Sequence, residues 1–479
     1  MNIGGLDIGT TGCKLTVYRE TGENLSTEYQ AYDELESFHK QEVEPGMIHA
    51  SVIFEAVGIV ISKTTEKIPV DGFGVTSFGE TFAMLDENDN ILMPSLLHVD
   101  TRGLEEVQTF VGKEVEKICG VKESCLFSLP KIMWVKKHYP EVYAKTKRIL
   151  LMQDFVVYML TGVAQIDYSL ACRTMGLDIR KKCWSEEIFA MAEIDSEKMS
   201  KPVPIGTVAG KSNLFGLKDA TIVTGCIDQL AATIGAGVLD ASVAMDGIGT
   251  MECVIPILDS VPEGGSYYDG GYAVMPFLGD AYTGCILSFA GGASLKWYRD
   301  NFTPGESYST LNQWVNPDEP TGLMLLPHFS GGATPYMNNA SKAALIGMTL
   351  DTTKEAIYQA VLEGISYEMC NNMEVAEKNQ TPIRRIIATG GGARSRELLQ
   401  IKANIYNRPV TCLEAEEVGA TGAMILTAIA MGIYPSVEEA CKVLVKEKET
   451  FYPDPVAHEK YQAVYKKYQK LYEAVSPLV

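Results

Sequence analysis

Short apolar runs alternate along the chain with longer stretches in which apolar residues recur every three or four positions. The short runs are rich in β-branched residues and predict buried strands at residues 15–18, 72–76, 221–225 and 383–389. The longer stretches predict amphipathic helices at residues 51–65 and 353–376. Residues 202–204 and 259–271 are rich in proline or glycine and predict loops. This alternation is typical of an α/β fold.

Two glycine–threonine turns lie in this pattern, one in residues 5–14 and one in residues 245–251. Apolar, β-prone residues flank each turn, so each predicts a tight hairpin of two strands. Glycine lets the backbone approach a bound group, and successive N–H groups with threonine hydroxyls can hold phosphate oxygens. The candidate phosphate contacts are Thr10, Thr11, Lys14, Gly249 and Thr250. Ordinary hairpin turns and a solvated lysine remain alternatives.

The spacing of the turns also predicts the domain organisation. A chain of 479 residues is too long for a single hydrophobic core. We place the boundary directly before the second turn, which gives domains at residues 1–245 and 246–479 with a nucleotide between them. No polar linker separates the two, so we expect the domains to touch and hinge.

Charge and composition limit the classes of partner that the protein can bind. The chain has 61 acidic and 41 basic residues, and its formal net charge of −20 repels nucleic acid. A phosphate site must therefore rely on local amides, lysine and a divalent cation. No run approaches the ~18 apolar residues of a membrane span, and the first residues predict a strand rather than a signal segment. The 11 cysteines show no zinc-type spacing. We expect a cytoplasmic protein with reduced thiols.

Two aspartates are candidates for chemistry. Asp228 follows an apolar strand and precedes a predicted helix, where it could act as a general base or as a helix N-cap. The local residues alone favour the cap. Asp7 lies in the first turn, where it could hold Mg²⁺ through water or satisfy backbone N–H groups of the turn.

The second half of the chain carries a third glycine-rich turn. Gly391, Gly392 and Ala393 follow an apolar strand and open a helix, where an adenosine could lie flat against the backbone. The same unit is frequent as a plain structural turn. An adenine contact through Asn404 or Glu417 is a further alternative. The small residues 419–423 and the tyrosine stripe of residues 461–472 both predict packing faces.

Taken in order, these motifs resemble the FGGY carbohydrate kinases, relatives of xylulokinase and glycerol kinase. The similar segments are the two turns, Asp100-Thr101-Arg102, Asp167-Tyr168-Ser169 with Arg173-Thr174 and Asp178, Gly225–Gln229, residues 327–347 and Gly390–Ser395. The resemblance spans nearly the whole chain and implies two actin-like, ribonuclease H-like domains of the sugar kinase, Hsp70 and actin superfamily, with an interdomain cleft. It implies ATP-dependent phosphorylation of a sugar or polyol, with ATP and Mg²⁺ as cofactors, and it allows a homodimer.

The resemblance also implies roles for residues. It favours Asp228 as the base, and it places the acceptor against the first domain. The candidate substrate contacts are Glu80, Thr81, His98, Asp100, Arg102, Asp228 and Gln229. Each has a structural alternative: Glu80 could pair with a nearby cation, Arg102 could only hold Asp100 in place, and His98 could be a buried histidine bonded to backbone.

The substrate stays open within the family. Xylulokinases typically have Met-His where this chain has Gly79-Glu80, and glycerol kinases have an aromatic residue where it has His98. Gly331-Gly332-Ala333 also departs from the usual Gly-Glu-Arg of the family. A ketopentose such as xylulose or ribulose is the favoured acceptor, and a glycerol- or erythritol-type polyol is an alternative. An actin-like ATPase that acts on a protein partner and a non-catalytic sugar sensor are the alternatives from other classes.

Overall fold

The computed structural model describes residues 1–263, 265–378, 380, 382–415 and 417–478. Its strands are β1 (Asn2–Ile8), β2 (Gly12–Arg19), β3 (Asn24–Ala31), β4 (Met47–Ile48), β5 (Gly72–Ser77), β6 (Phe82–Leu85), β7 (Ser95–Leu96), β8 (Arg148–Leu151), β9 (Gln165–Asp167), β10 (Leu177–Asp178), β11 (Cys183–Trp184), β12 (Lys201–Val203), β13 (Thr207–Ser212), β14 (Ala220–Ile227), β15 (Val243–Ile248), β16 (Glu252–Leu258), β17 (Ala273–Pro276), β18 (Tyr282–Ser288), β19 (Met324–Leu326), β20 (Ala344–Ile346), β21 (Arg385–Thr389), β22 (Val410–Leu413) and β23 (Glu447–Phe451).

The helices are α1 (Glu36–Lys40), α2 (Ala50–Thr65), α3 (Glu116–Cys119), α4 (Ser128–His138), α5 (Pro140–Lys145), α6 (Met152–Thr161), α7 (Tyr168–Cys172), α8 (Glu186–Ala192), α9 (Asp228–Gly235), α10 (Gly265–Asp269), α11 (Gly292–Phe302), α12 (Tyr308–Asn312), α13 (Lys354–Ala376), α14 (Arg396–Tyr406), α15 (Val418–Ala430), α16 (Val437–Leu444), α17 (Pro455–Tyr468) and α18 (Leu471–Val475). Within the described ranges, no helix has the length and apolar character needed to cross a bilayer.

The chain forms two compact units, each assembled from three segments. Unit 1 contains Met1–Gly237, Val274–Tyr282 and Glu417–Val445, and unit 2 contains Val238–Ala273, Thr283–Glu416 and Lys446–Val479. The division into domains at residue 245 stays a prediction.

The sheet of unit 1 is built around the first predicted hairpin. Its strand order is β13-β14-β5-β1-β2-β3. The hairpin pairs β1 with β2 antiparallel, and β1, β5 and β14 run parallel to one another. Helix α2 packs on β2 and β3, and α15 packs on β1 and β5. The apolar faces of these elements form the core that fixes where the strands end.

The second large sheet repeats this arrangement. Its order is β17-β18-β16-β15-β21-β22-β23. The second predicted hairpin pairs β15 with β16 antiparallel, and β15, β21 and β22 run parallel. In both sheets an antiparallel hairpin is followed by two further parallel strands and an antiparallel edge strand. Both predicted hairpins are therefore confirmed, and they hold equivalent places in two similar sheets.

The small residues 419–423 lie where two helices of unit 1 approach closely. A Cβ atom on Gly422 would lie 1.8 Å from the carbonyl oxygen of Ala231 in α9, and one on Gly235 would lie 1.9 Å from that of Val418. Only glycine fits such spacing, so the predicted packing face is confirmed. In unit 2, Tyr461, Tyr465 and Tyr468 are buried on α17, which confirms most of the tyrosine face.

Two predicted loops are wrong in part. Residues 202 and 203 belong to β12, which pairs parallel with β9. The range 259–271 contains the short helix α10, while Gly264 lies outside the described residues. Both misses come from proline or glycine content, which lowers strand and helix propensity without excluding a short element held by its neighbours.

Candidate functional site

Three acidic residues of unit 1 lie at, or shortly after, the carboxyl ends of neighbouring parallel strands. Asp7 lies next to the end of β1, Glu80 follows β5, and Asp228 follows β14. The register joins these ends directly, because Ile8 is paired with Ser77, and Ser77 with Ile227. Parallel strands bring their carboxyl ends to one edge of a sheet, which is where α/β folds bind ligands. Residues far apart in the sequence thus meet at one edge.

Asp228 is the first residue of α9, and Ile227 takes the N-cap position. The Oδ1 atom of Asp228 accepts a hydrogen bond of 2.7 Å from the backbone N–H of Gln229, whose side chain is exposed. Burial, together with the negative charge of Asp7, raises the pKa of Asp228 to about 7. This half-buried carboxylate is therefore not the helix cap, and it titrates near neutral pH.

The residue before Asp228 is fixed by a buried polar chain. The backbone N–H of Ile227 donates to Ser169 Oγ at 3.0 Å, and Ser169 Oγ in turn donates to Asp167. Burial raises the pKa of Asp167 to about 6. The carbonyl oxygen of Cys226 accepts a hydrogen bond of 2.6 Å from Thr76 Oγ1 in β5. The Asp-Tyr-Ser segment noted in the sequence thus holds the end of β14.

Asp7 faces Lys14 across the first hairpin. Burial raises the pKa of Asp7 to about 6; the charge of Lys14 opposes this shift and that of Glu417 adds to it. Lys14 is not the solvated lysine of the alternative interpretation, because its Nζ forms an ion pair of 2.8 Å with Glu417. Glu417 therefore contacts the first turn.

The turn between β1 and β2 exposes the side chains of Thr10 and Thr11. Two hydrogen bonds from Tyr32 anchor the backbone of this turn. The Tyr32 hydroxyl donates to the carbonyl oxygen of Gly9 at 2.8 Å, and the Tyr32 N–H donates to that of Thr11 at 2.9 Å. Both threonine hydroxyls are thus displayed on an anchored loop.

Glu80 is buried and has a positive φ of 67°, an uncommon backbone conformation for a non-glycine residue. Its Oε1 accepts a hydrogen bond of 2.6 Å from Arg173 Nε, and the Arg173 guanidinium lies 4.9 Å from the ring centre of Phe127. The backbone carbonyl of Glu80 accepts a hydrogen bond from Ser128 Oγ at 2.7 Å. Glu80 therefore has the cationic partner that was the alternative to a substrate contact. The neighbouring Thr81 is fully buried.

Arg102 forms an ion pair with Asp100. Its Nη2 and Nε atoms lie 2.5 and 3.0 Å from Asp100 Oδ2, and its Nη1 lies 2.9 Å from Glu44. Burial raises the pKa of Asp100, but the hydrogen bonds and charge of Arg102 outweigh it and hold that pKa below its ordinary value. Arg102 thus keeps Asp100 ionised and in place, as one of its two predicted interpretations requires.

His98 is half-buried beside Phe78, and burial lowers its pKa. Below it lies Lys131, a fully buried residue that the sequence interpretation missed. Lys131 Nζ donates to the carbonyl oxygens of His98 at 3.3 Å, Cys125 at 2.6 Å and Leu126 at 2.8 Å. Burial lowers the pKa of Lys131 to about 8. Lys131 therefore ties the His98 loop to the segment before α4.

The second turn, in unit 2, exposes Gly249 and Thr250. The backbone N–H groups of Gly292 and Ala293, at the start of α11, donate to the carbonyl oxygens of Gly249 and Thr250 at 2.8 and 3.0 Å. This turn is therefore anchored by a helix start, as the first turn is by Tyr32.

The glycine-rich loop of unit 2 packs on the same turn. A Cβ atom on Gly390 would lie 2.8 Å from the Ile248 carbonyl oxygen, and one on Gly392 would lie 2.2 Å from Ile248 Cγ2. Gly391 and Ala393 lie with them in a short 3₁₀ helix before α14. The structure thus brings Gly249, Thr250, Gly391, Gly392 and Ala393 into one loop cluster.

Asn404 differs from the residues of this loop cluster in its burial and its hydrogen bonds. Its side chain is fully buried, with Nδ2 donating to Pro317 O at 2.9 Å and Oδ1 accepting from Gln400 Nε2 at 3.0 Å and from Asp454 N at 2.9 Å. An adenine contact through this side chain would have to break these bonds.

Comparison with known proteins identifies the family. Residues 2–235 match the N-terminal domain, and residues 275–431 the C-terminal domain, of the FGGY family of carbohydrate kinases. A xylulose kinase of Lactococcus lactis is 26% identical over 494 aligned residues, covering 99% of this chain and 97% of its own. A gluconokinase of Bacillus licheniformis is 26% identical, covering 89% and 87%.

Solved structures agree on the fold. The ligand-bound xylulose kinase from Lactobacillus acidophilus superposes with a TM-score of 0.91 at 22% identity, over 99% of this chain and 98% of its own. A gluconate kinase from the same organism gives a TM-score of 0.90 at 22% identity, with the same coverage. The two similar sheets, with acidic residues at one set of strand ends, are thus the two actin-like, ribonuclease H-like domains of sugar kinases, and this chain belongs to the FGGY family of carbohydrate kinases.

Proposed function

We propose that the enzyme transfers the γ-phosphoryl group of ATP to a hydroxyl of a ketopentose such as xylulose or ribulose, with Asp228 as general base. The observation that carries this proposal is the meeting of Asp7, Glu80 and Asp228 at one sheet edge, with the pKa of Asp228 raised to about 7. A base with a pKa near the working pH is ionised in a substantial fraction of the molecules and is still basic enough to accept a hydroxyl proton. The proton passes to Asp228 as the hydroxyl oxygen bonds to the γ-phosphorus, while the bond from that phosphorus to the β,γ-bridging oxygen breaks and ADP leaves.

ATP and Mg²⁺ are the proposed cofactors. Mg²⁺ binds one or two carboxylates and completes its shell with water and phosphate oxygens. Asp7 offers one such carboxylate, next to the turn that exposes Thr10 and Thr11. A cation held there would neutralise charge on the transferring phosphoryl group. Thr10, Thr11 and Lys14 are the proposed phosphate contacts of unit 1.

Unit 2 supplies the proposed nucleotide loops. Gly249 and Thr250 expose backbone and a hydroxyl group on an anchored turn, which suits phosphate oxygens. Gly391, Gly392 and Ala393 offer a surface without large side chains next to that turn, which suits the flat adenosine.

The acceptor contacts favour a neutral sugar over an aldonate. Glu80, Asp100 and Asp228 are carboxylates, and the two arginines among them, Arg173 and Arg102, are already bonded to Glu80 and Asp100. A substrate carboxylate would meet net negative charge there and would have to displace one of these pairs. Hydroxyl groups can instead donate hydrogen bonds to the carboxylates without breaking their ion pairs with the arginines. The named relatives include both xylulose kinases and gluconokinases, so this distinction matters.

An ADP-release assay with the purified enzyme tests the proposal. Xylulose, ribulose, glycerol, erythritol and gluconate are offered in parallel, with ATP and Mg²⁺. We expect release with a ketopentose and little with gluconate. Preferential release with glycerol or erythritol would support the polyol kinase instead. Rapid release without any acceptor would support an ATPase, the alternative that the family assignment does not favour.

A variant tests the assigned base. Asp228→Asn should lower kcat by ~10²-fold or more while nucleotide binding is retained. Asp195→Asn is the matched control, because Asp195 is an exposed aspartate that caps a short 3₁₀ helix in the same unit. Turnover of Asp228→Asn at the level of this control would exclude Asp228 as base.

Location and assembly complete the proposal. We infer that the enzyme works in the cytoplasm, where ATP is abundant, and that it forms a homodimer. Light scattering of the purified chain tests the second point, and a monomer at working concentration would refute it.

A further inference from the structure

Three charged side chains lie fully buried together in unit 2. Lys402 Nζ is 2.5 Å from Glu252 Oε1 and 3.0 Å from Asp246 Oδ2, and it also donates to the hydroxyl oxygen of Tyr406 at 2.9 Å. Asp246, Glu252 and Lys402 have no exposed surface. Burying charges is costly unless their geometry is good, so such a cluster is weak evidence for stability and calls for another explanation.

The two carboxylates bracket the second turn. Asp246 directly precedes residues 247–251, and Glu252 directly follows them. They stand on the two antiparallel strands of the hairpin, β15 and β16. A single ammonium group therefore bonds both legs of the hairpin, one on each strand, close to the turn. This fixes the spacing of the legs and hence the path of the exposed Gly249 and Thr250.

Lys402 also links this turn to the glycine-rich loop. It lies on α14, the helix that directly follows Gly391–Arg394. The same loop packs on the second turn through the close approach of Gly392 to Ile248. The ammonium group thus joins the helix behind one loop to both legs of the other, and a shift of α14 would be passed to both loops.

The charge balance suits an anion site. With both carboxylates ionised the cluster would carry one net negative charge behind a turn proposed to receive phosphate. Burial raises the pKa of Asp246, and burial together with the charge of Asp246 raises that of Glu252 to about 8. Both shifts oppose full ionisation of the pair, which reduces the negative charge behind the turn.

We propose that Lys402 is a positioning residue that sets the geometry of the second turn for the phosphates of the nucleotide. This inference rests on the proposed role of that turn in nucleotide binding. It goes beyond that role in assigning the turn's shape to a buried ion cluster that touches neither nucleotide nor acceptor.

The test separates positioning from general stability. In Lys402→Met, KM for ATP should rise roughly tenfold or more, as expected when a binding loop is displaced, while KM for the acceptor stays within about twofold. Glu363→Gln is the matched control, since Glu363 is another buried carboxylate of unit 2, bonded to Thr321 and Gln359. It should leave KM for ATP unchanged, even where its melting temperature shifts.

Two further variants keep the inference open to refutation if Lys402→Met does not fold. Asp246→Asn and Glu252→Gln each weaken one leg and leave Lys402 with a charged partner, so each should raise KM for ATP by a smaller factor. A folded set in which all three variants keep the wild-type KM for ATP would overturn the inference. Wild-type protein that fails to bind ATP would instead overturn the proposed function, so ATP binding by the wild type is measured first, by calorimetry.

Discussion

Removing the negative charge of Asp228 should make the protein more stable while it removes activity. The pKa of this carboxyl is 3.8 in the unfolded chain and about 7 in the folded one, because burial and the charge of Asp7 oppose ionisation. Between these pH values the unfolded chain holds fewer protons than the native one. The free energy of unfolding therefore falls as pH rises from about 4 to 7, and above that range the full cost of the buried charge remains.

The size of the effect follows from the same shift. A rise from 3.8 to about 7 corresponds to an upper limit of about 4 kcal/mol. Asp228 keeps some contact with solvent, which screens the charge, so we expect about 1–2 kcal/mol. In Asp228→Asn, a neutral amide replaces the carboxylate, and the melting temperature should rise by about 1–3 °C at a pH of about 8.

The assay is thermal unfolding of wild type and Asp228→Asn at a pH of about 8 and a pH of about 5.5. The gain should be larger at the higher pH, because the wild-type carboxyl is mostly protonated at the lower one. Asp195→Asn keeps a residue that caps a helix about equally well, so its melting temperature should stay close to that of the wild type at both pH values. An Asp228→Asn variant no more stable than wild type at the higher pH, or a gain independent of pH, would refute the reasoning.

Two further predictions use the same structure. The kcat/KM of the wild type should fall about tenfold per pH unit below a pH of about 7, as Asp228 becomes protonated. Arg173→Met should move this acidic limb of the pH profile to higher pH, because the charge of Arg173 lowers the pKa of Asp228. An acidic limb that does not move would count against Asp228 as the titrating base. Gly422→Ala should lower the free energy of unfolding by about 2 kcal/mol, since its Cβ would lie 1.8 Å from the Ala231 carbonyl oxygen. Gly419→Ala, with no atom within 4 Å of its Cβ, is the control on the same helix, and equal melting temperatures for the two variants would contradict the packing argument.

The sequence predicts well those features that depend on neighbouring residues. Both hairpins and the long helices α2 and α13 follow from periodicity and turn chemistry, and the structure confirms them. The sequence does not show that residues 417–445 belong to the same compact unit as the first residues of the chain. That association depends on helix α15 packing on β1 and β5, a contact between segments about four hundred positions apart, which no local pattern records.

Within the site, the sequence predicts residues in motifs and misses buried lysines. Asp7 is predicted from its place in the first glycine–threonine turn, and Glu80 and Asp228 because each follows an apolar strand. Lys131 and Lys402 were missed because a lysine is most often a solvated charge. A signal was present, since Lys402 lies four residues after the buried Leu398 and four before Tyr406, on the apolar face of α14. A lysine on an apolar helical face predicts a buried partner, but not which one.

The two hairpins also show how equivalent turns come to differ in chemistry. When Ile8-Gly9-Thr10 is aligned with Ile248-Gly249-Thr250, Asp7 corresponds to Gly247, and the buried Leu6 to the buried Asp246. The first turn thus places a carboxylate at its mouth, and the second has only a hydrogen atom at the same position.

In the second hairpin the carboxylate is one residue earlier and faces the interior, where Lys402 balances it. A carboxylate at the mouth of a turn repels phosphate unless a cation intervenes, whereas a glycine leaves room for phosphate oxygens to reach the backbone. The one-residue difference therefore explains why we assign the metal as well as phosphate contacts to the first turn, and phosphate contacts alone to the second.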